Sequence, residues 1–252
     1  MQTRPKISVI TVVFNSKALI ETTIKSVFQQ TYSSIEYIII DGASTDGTTQ
    51  LIEPYRSKLA VFVSEKDRGI YDAMNKGLAR ATGDYVVFMN SGDLFYENIT
   101  LEKVFSAAAA ADVYYGNTKI IDLNGNVIGD KRQKPPMKLN WKSLKYGMCV
   151  SHQSFIAKRS LCEPYNLNYK LSADIDWVIR VLKKAQTIVN VNGTISKYLE
   201  GGASVKGRRL SLNERYKIMV DHYGFIPTFF YHVYIAFRLV IQMVSGKRKD
   251  LN

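Results

Sequence analysis

VVFMNSGDLF (residues 86–95) sets four apolar residues against Asn90, Ser91, Gly92 and Asp93, then turns apolar again. A short apolar run of this kind reads as a buried strand. Its closure on an amide, a hydroxyl, a glycine and a carboxylate collects hydrogen-bonding groups at one end. The same form occurs three times upstream. KISVITVVF (6–14) precedes a 3.6-period stretch over 18–30, IEYIIID (35–41) precedes TDGTTQLIEPY, and LAVFVS (59–64) precedes YDAMNKGLARAT. DYVVFMN (84–90) is itself followed by LEKVFSAAAAA. Near-continuous apolar strands alternating with helices predict an α/β fold, a Rossmann-like, mostly parallel sheet covered by helices on both faces. Ser44 or Thr45 is the expected cap of the second helix, and Thr100 opens the fourth.

Beyond Ala111 the pattern changes. VYYGNTKIIDLNGNVIGD carries an Asn-Gly pair between β-rich runs and predicts a hairpin, and GMCVSHQSFIAKRSL predicts a strand entering from a loop. SADIDWVIRVLKKA (172–185) reads as one amphipathic helix and TIVNVNGTISKYL as a second hairpin-like unit. Parallel units followed by antiparallel pieces predict one mixed-sheet domain over 1–208. A helical extension over 209–252 follows: a charged helix, a break near Gly224 and Pro227, then an apolar and aromatic run ending in Lys247, Arg248 and Lys249. Interrupted by His232, Arg238 and Gln242, that run falls short of a membrane span. It fits an interfacial helix or a helix packed on the domain.

A chain of 252 residues with 46% hydrophobic residues can bury a large core. Its net charge of +12 favours anionic partners: nucleic acid, an acidic membrane surface or phosphorylated small molecules. Basic residues are spread along the chain without a DNA or RNA motif, so nucleic acid is not the expected partner. Cys149 and Cys162 form no CxxC pair, which leaves no sign of a disulfide framework or zinc site and points to a reducing cytoplasm. The N-terminal apolar run is short and strand-like, not a signal peptide. Neither GxGxxG nor GxxxxGK[ST] is present, which removes sequence support for dinucleotide-fold and P-loop chemistry.

Ligands of open parallel sheets bind beyond the carboxyl ends of the strands. Those ends carry Phe14 and Asn15, Asp41 and Gly42, Glu65 to Asp67, and Asn90 to Asp93. Several carboxylates converging in a basic protein predict a hydroxyl-rich ligand, a metal, or both.

SVITVVFN, IIIDGASTDGT, EKDRGIYDAMNKGLARATGDYVVFMNSGD and ADIDWVIR, in this order over residues 5–205, resemble the successive motifs of family 2 glycosyltransferases with the GT-A fold. The similarity is to bacterial enzymes of capsule, O-antigen and colanic acid assembly. It implies an inverting transferase that moves a sugar from a nucleotide-diphosphate donor, with uridine the favoured base, to a hydroxyl of a lipid-linked glycan. The protein would then lie on the inner face of the cytoplasmic membrane, touching it through the C-terminal helix. Residue by residue, the resemblance implies that Asp41 accepts a hydrogen bond from the base beside the strand edge formed by Thr11, Phe14 and Asn15. It makes Asp93 the last carboxylate of a metal-binding DxD-type motif for Mn2+ or Mg2+, with Ser91 near the diphosphate and Asn90 also at the nucleotide. Asn90 and Gly92 stand where many relatives carry aspartate, so phosphate oxygens and waters must supply most metal ligands. Asp174 takes the place of the general base, preceded here by Ala173 rather than glutamate.

Asp176 lies two residues further, about 200° around a helix, and reads as structural or as an N-terminal helix charge. Arg68, Asp72 and Asn75 are donor-sugar candidates or helix-capping residues. His152 and Gln153 are acceptor-site candidates or structural ones. EGGAS (200–204) is expected to close over the donor, and KGRR (206–209) to neutralise diphosphate or to be solvated. A catalytically silent nucleotide-sugar binding protein of the same fold is the alternative reading.

Overall fold

β1 (Ile7–Val13) is buried at every position, because it lies between two parallel neighbours, β2 (Ile35–Asp41) and β4 (Tyr85–Phe88). The structure, a computed structural model, describes residues 4–108, 110–131, 133–199 and 207–244. β3 (Val61–Ser64) pairs in parallel with β2. Further strands follow: β5 (Leu94–Phe95), β6 (Val113–Ile121), β7 (Val127–Asp130), β8 (Phe155–Lys158) and β9 (Ile188–Leu199). The sheet runs β3-β2-β1-β4-β8-β6-β9-β5, with β7 on β6. β8 enters antiparallel between β4 and β6, so the parallel half and the mixed half form one sheet, as the motif order predicts.

Alternation along the central strands divides the core. Ile10, Val12, Ile38, Ile40, Val86 and Phe88 face α3 (Ile70–Arg80) and α5 (Ala173–Lys184). Ile7, Val9, Tyr37, Ile39, Tyr85 and Val87 face α1 (Ile20–Phe28) and α4 (Thr100–Ser106). With both faces covered, each strand reads as a continuous apolar run, and every buried methylene contributes about 0.8 kcal/mol. α3 lies close against β1 because residue 77 is glycine: a Cβ there would sit 2.4 Å from Ile10 Cγ2.

Two local expectations are corrected. Residues 187–199 form no hairpin; β9 continues through Asn192, whose φ is 52°, as an irregularity in its parallel pairing with β6. The Asn-Gly signal fails here because Gly193 meets Gly116 across the strands, where a Cβ on Gly116 would stand 2.6 Å from Gly193 O. At 122–126 the same signal does close the β6–β7 hairpin, with Gly125 at φ +83°. The cap of α2 (Thr48–Ile52) is neither Ser44 nor Thr45: Gly47 occupies that position, and Asp46 Oδ1 accepts from Thr48 N at 2.9 Å.

α6 (Arg208–Tyr223) packs on α5, with Ile218 and Met219 buried in the same core as Trp177. It ends at Gly224, where φ is +86°. Pro227 falls in the first turn of α7 (Phe225–Val244), where its missing N–H is tolerated. Among the described residues no helix is long and apolar enough to cross a membrane. The glycine-bearing loop 200–204, Lys206 and the basic end 247–249 lie outside the described residues.

Candidate active site

At the carboxyl end of β2, Asp41 is fully buried. Its Oδ2 accepts from Ser44 N at 3.0 Å and Ser64 Oγ at 2.6 Å, whereas Oδ1 is buried with no partner. An unpartnered buried acceptor is unfavourable unless a ligand donor meets it. Phe14, 62% exposed, stands at the end of neighbouring β1. Gly42 lets these groups approach: a Cβ there would lie 3.3 Å from the Phe14 ring and 2.5 Å from Asp67 Oδ2. Asn15, at φ 45°, joins the two strand ends by donating its N–H to Ser44 Oγ at 2.8 Å and accepting from Thr45 N at 2.9 Å. Thr11 does not belong to this edge. Its buried hydroxyl donates to Met89 O at 2.7 Å, and the chain at 89–91 closes on Ile10 O and Val12 O, so the expected strand-edge contact is not open.

Past β4, Asp93 N donates to Asn90 O at 2.9 Å and closes a turn with Gly92 at φ +98°. Left-handed backbone favours glycine at this position. Ser91 Oγ lies 2.8 Å from Ser16 Oγ, which ties this turn to the loop after β1. The turn leaves Asp93 buried, with Oδ2 accepting from Gln153 Nε2 at 2.7 Å. Burial pushes this carboxyl up to about 6 against the opposing pull of His152 and Gln153. Asn90 Oδ1 is a second buried oxygen without a partner.

Asp174 lies in the first turn of α5, after Ser172. Tyr71 Oη of α3 donates to its Oδ1 at 3.1 Å, and His152 Nδ1 lies 3.8 Å from its Oδ2. Burial raises the Asp174 carboxyl, but His152, then the Arg215 charge and the Tyr71 hydroxyl, outweigh it and hold it below the usual range. Asp174 is therefore ionised at neutral pH. Asp176 points elsewhere and pairs with Arg180 at 2.9 Å and His222 at 2.8 Å.

The turn His152–Ser154 brings the two carboxylates together. Gln153 holds Asp93, while His152 faces Asp174 on one side and Asn90 Nδ2, at 3.3 Å, on the other. Farther out, Asp72 pairs with the exposed Arg68 at 3.1 Å and accepts from its N–H at 3.0 Å. Asn75 uses its amide on both backbone groups of Tyr165, at 3.0 and 2.6 Å, which makes it a brace for that loop rather than a free donor-sugar contact. Sequence reading missed Tyr71, Lys131 and Arg215. Tyr71 at least sits inside the GIYDAMNKG motif; the other two carry no local signal.

Asp93 and the partnerless Asn90 Oδ1 are the groups of this turn that could take part in holding a divalent cation, with phosphate and water as the other ligands. No group of three or more His, Cys, Asp or Glu that could hold a metal occurs among the described residues. Among the described residues no all-protein cage is built, and magnesium or manganese does not require one.

The sequence profile of glycosyl transferase family 2 matches residues 8–165. Escherichia coli WfgD, UDP-Glc:alpha-D-GlcNAc-diphosphoundecaprenol beta-1,3-glucosyltransferase, is 24% identical over 85% of this chain and 85% of its own. Staphylococcus aureus TarS, solved with UDP-GlcNAc, superposes with a TM-score of 0.67 at 21% identity, over 84% of this chain and 64% of that one. Mannosyltransferase PcManGT of Pyrobaculum calidifontis, solved with GDP-Man and Mn2+, gives 0.64 at 20% identity, over 87% of this chain and 65% of that one. The chain thus spans slightly less than two thirds of either solved neighbour, and at these identities the likeness is one of fold.

Proposed function

The chain belongs to glycosyl transferase family 2, and from that premise we propose that it moves a sugar, with inversion, from a nucleoside-diphosphate donor to a hydroxyl of a lipid-linked glycan. The observation that carries this reading is the placement of Asp93 and Asp174 against adjacent residues of one turn, Gln153 and His152. In this reading Asp93 serves the diphosphate end of the donor and Asp174 removes the acceptor's proton.

In this reading Asp41 Oδ1 accepts an N–H of the base and Phe14 covers the base's face. Asp174 takes the proton of the acceptor hydroxyl as its oxygen bonds to the anomeric carbon. The bond from that carbon to the diphosphate oxygen breaks, and the nucleoside diphosphate leaves with the negative charge. The Tyr71 hydroxyl holds the Asp174 carboxylate in position, with His152 Nδ1 3.8 Å from its other oxygen. A divalent cation on Asp93 and Asn90 Oδ1, Mn2+ or Mg2+, would supply neutralisation of the departing diphosphate.

UDP is the first candidate nucleotide because TarS was solved with UDP-GlcNAc, and GDP follows from PcManGT. The lipid-linked acceptor is suggested by the name of WfgD and by the apolar residues that α7 exposes, among them Ile226, Phe230, Val233, Phe237 and Ile241. Such a face, with basic residues beyond it, suits peripheral contact with the cytoplasmic face of a membrane.

Thermal shifts with UDP, GDP, dTDP and CMP, each with and without Mn2+, test the donor site, since a ligand of the folded state raises Tm by mass action. One diphosphate is expected to stabilise the protein in a metal-dependent way. Asp93→Ala should abolish that shift, and Asp41→Ala should weaken binding about tenfold or more, as for a lost hydrogen bond to a charged group. No shift with any nucleotide would overturn the donor reading.

A further inference from the structure

Two cations to which the proposed chemistry gives no ligand lie within electrostatic range of Asp174. Arg215 of α6 contributes positive charge to it, and its Nε is buried without a hydrogen-bond partner among the described residues. Its position is set by its neighbour: Glu214 accepts from Lys170 N at 2.7 Å and Leu171 N at 2.9 Å, which pins α6 to the segment leading into α5. Lys131, just past β7, is within electrostatic range of both Asp174 and Asp93. Its Nζ donates to Ser151 Oγ at 2.8 Å, on the residue before His152. Neither cation forms an ion pair with a carboxylate of the described residues, whereas nearby Lys119 and Lys134 both pair with Asp130. Burial lowers the Lys131 ammonium, an unfavourable placement that an anionic ligand would relieve.

The strand order separates Lys131 from the base end of the sheet, though not from Asp93. Asp41 and Phe14 close β2 and β1 on one side of β4, while β6 and β7, which deliver Lys131, lie on the other side beyond β8. Lys131 also lines an open hollow of about 190 Å³ with Lys119, Gln133, Lys134 and the carboxylate of Asp130. Arg215 connects through α6 to the apolar helix α7, and its neighbour Tyr216 packs edge-on against His232 of α7, ring centres 5.0 Å apart.

We propose that Arg215 and Lys131 form a diphosphate-binding subsite for the acceptor, holding the anionic link between its sugar and its lipid while Asp174 receives the sugar hydroxyl. This rests on the lipid-linked reading above. Diphosphate is the shared chemistry of acceptor and donor, and the test separates them. Decyl diphosphate and the uncharged decyl maltoside are titrated into the full chain saturated with UDP and Mn2+, and UDP affinity is measured separately. The wild type should bind decyl diphosphate at least tenfold more tightly than the maltoside. Arg215→Ala and Lys131→Met should each remove most of that preference, Arg215→Lys should restore part of it, and UDP affinity should stay within twofold. Equal binding of the two probes by the wild type would overturn both the lipid-diphosphate reading and the subsite. A wild-type preference that survives in folded Arg215→Ala and Lys131→Met would overturn the subsite alone. Loss of UDP affinity in parallel would assign the pair to the donor's diphosphate and overturn its assignment to the acceptor.

Discussion

His152 Nδ1 lies 3.8 Å from Asp174 Oδ2, too far for a hydrogen bond and close enough for its charge state to matter. With Nε2 facing Asn90, the imidazole spans from the proposed base to the amide at the end of β4.

Asp174→Asn should lower kcat by about a hundredfold or more, the usual contribution of a positioned general base, with UDP affinity unchanged within about twofold. Asp174 is held below the usual carboxylate range, so its base form is present at neutral pH and is lost only as pH falls through that depressed value. His152→Gln removes the largest of the lowering influences. The acid limb of the kcat profile, measured at saturating cation, should therefore move to higher pH; an unmoved limb would remove His152 from that role.

Asp93 sits at about 6, raised from 3.8 chiefly by burial. A folded value above the unfolded one means that the ionised group destabilises the fold above about pH 6, and that this is relieved as pH falls towards 4. Asp93→Asn should accordingly raise the Tm of the unliganded protein at pH 7, by about 1 to 3 kcal/mol in stability, while losing the Mn2+-dependent response to nucleotide. In the wild type that response should weaken between pH 7 and 5, because protons compete with the cation.

Glu36 tests stability away from the site. Burial pushes its carboxyl up, but hydrogen bonds from Ser8, Thr82 and Lys6 prevail and hold it at about 2. A depressed value contributes stability that is complete above the unfolded pKa near 4.5 and is lost as pH falls through about 2. Glu36→Gln should cost on the order of 2 to 3 kcal/mol at pH 7, a difference that shrinks towards pH 2 in urea titrations.

Phe230→Asp and Phe237→Asp place charges on exposed positions of α7, at 63% relative exposure each. Both variants should fold with unchanged Tm and lose sedimentation with anionic phospholipid vesicles. Retained vesicle binding would remove α7 from membrane contact.

Much of the architecture is local information. The apolar runs of β1, β2 and β4 and the helical periods of α1, α3 and α5 are legible because burial on two faces or on one stripe imposes its period on neighbouring residues. Asp41 and the Asn90–Asp93 turn are legible for the same reason, since a strand end is a position in the chain. What the sequence determined by itself is therefore the α/β sheet, the strand ends that collect its polar groups, and, through an ordered set of motifs, the family. Only the tertiary structure decided that Gln153 holds Asp93 across 60 residues, that Tyr71 reaches Asp174 across 103, that Asn75 braces Tyr165 and that Thr11 faces the core. It also decided that Asn192 and Gly193 continue a strand, and that the charges of Lys131 and Arg215 reach Asp174. Contacts between elements far apart in sequence leave no period behind, because they depend on how the sheet orders its strands and which helix each face receives.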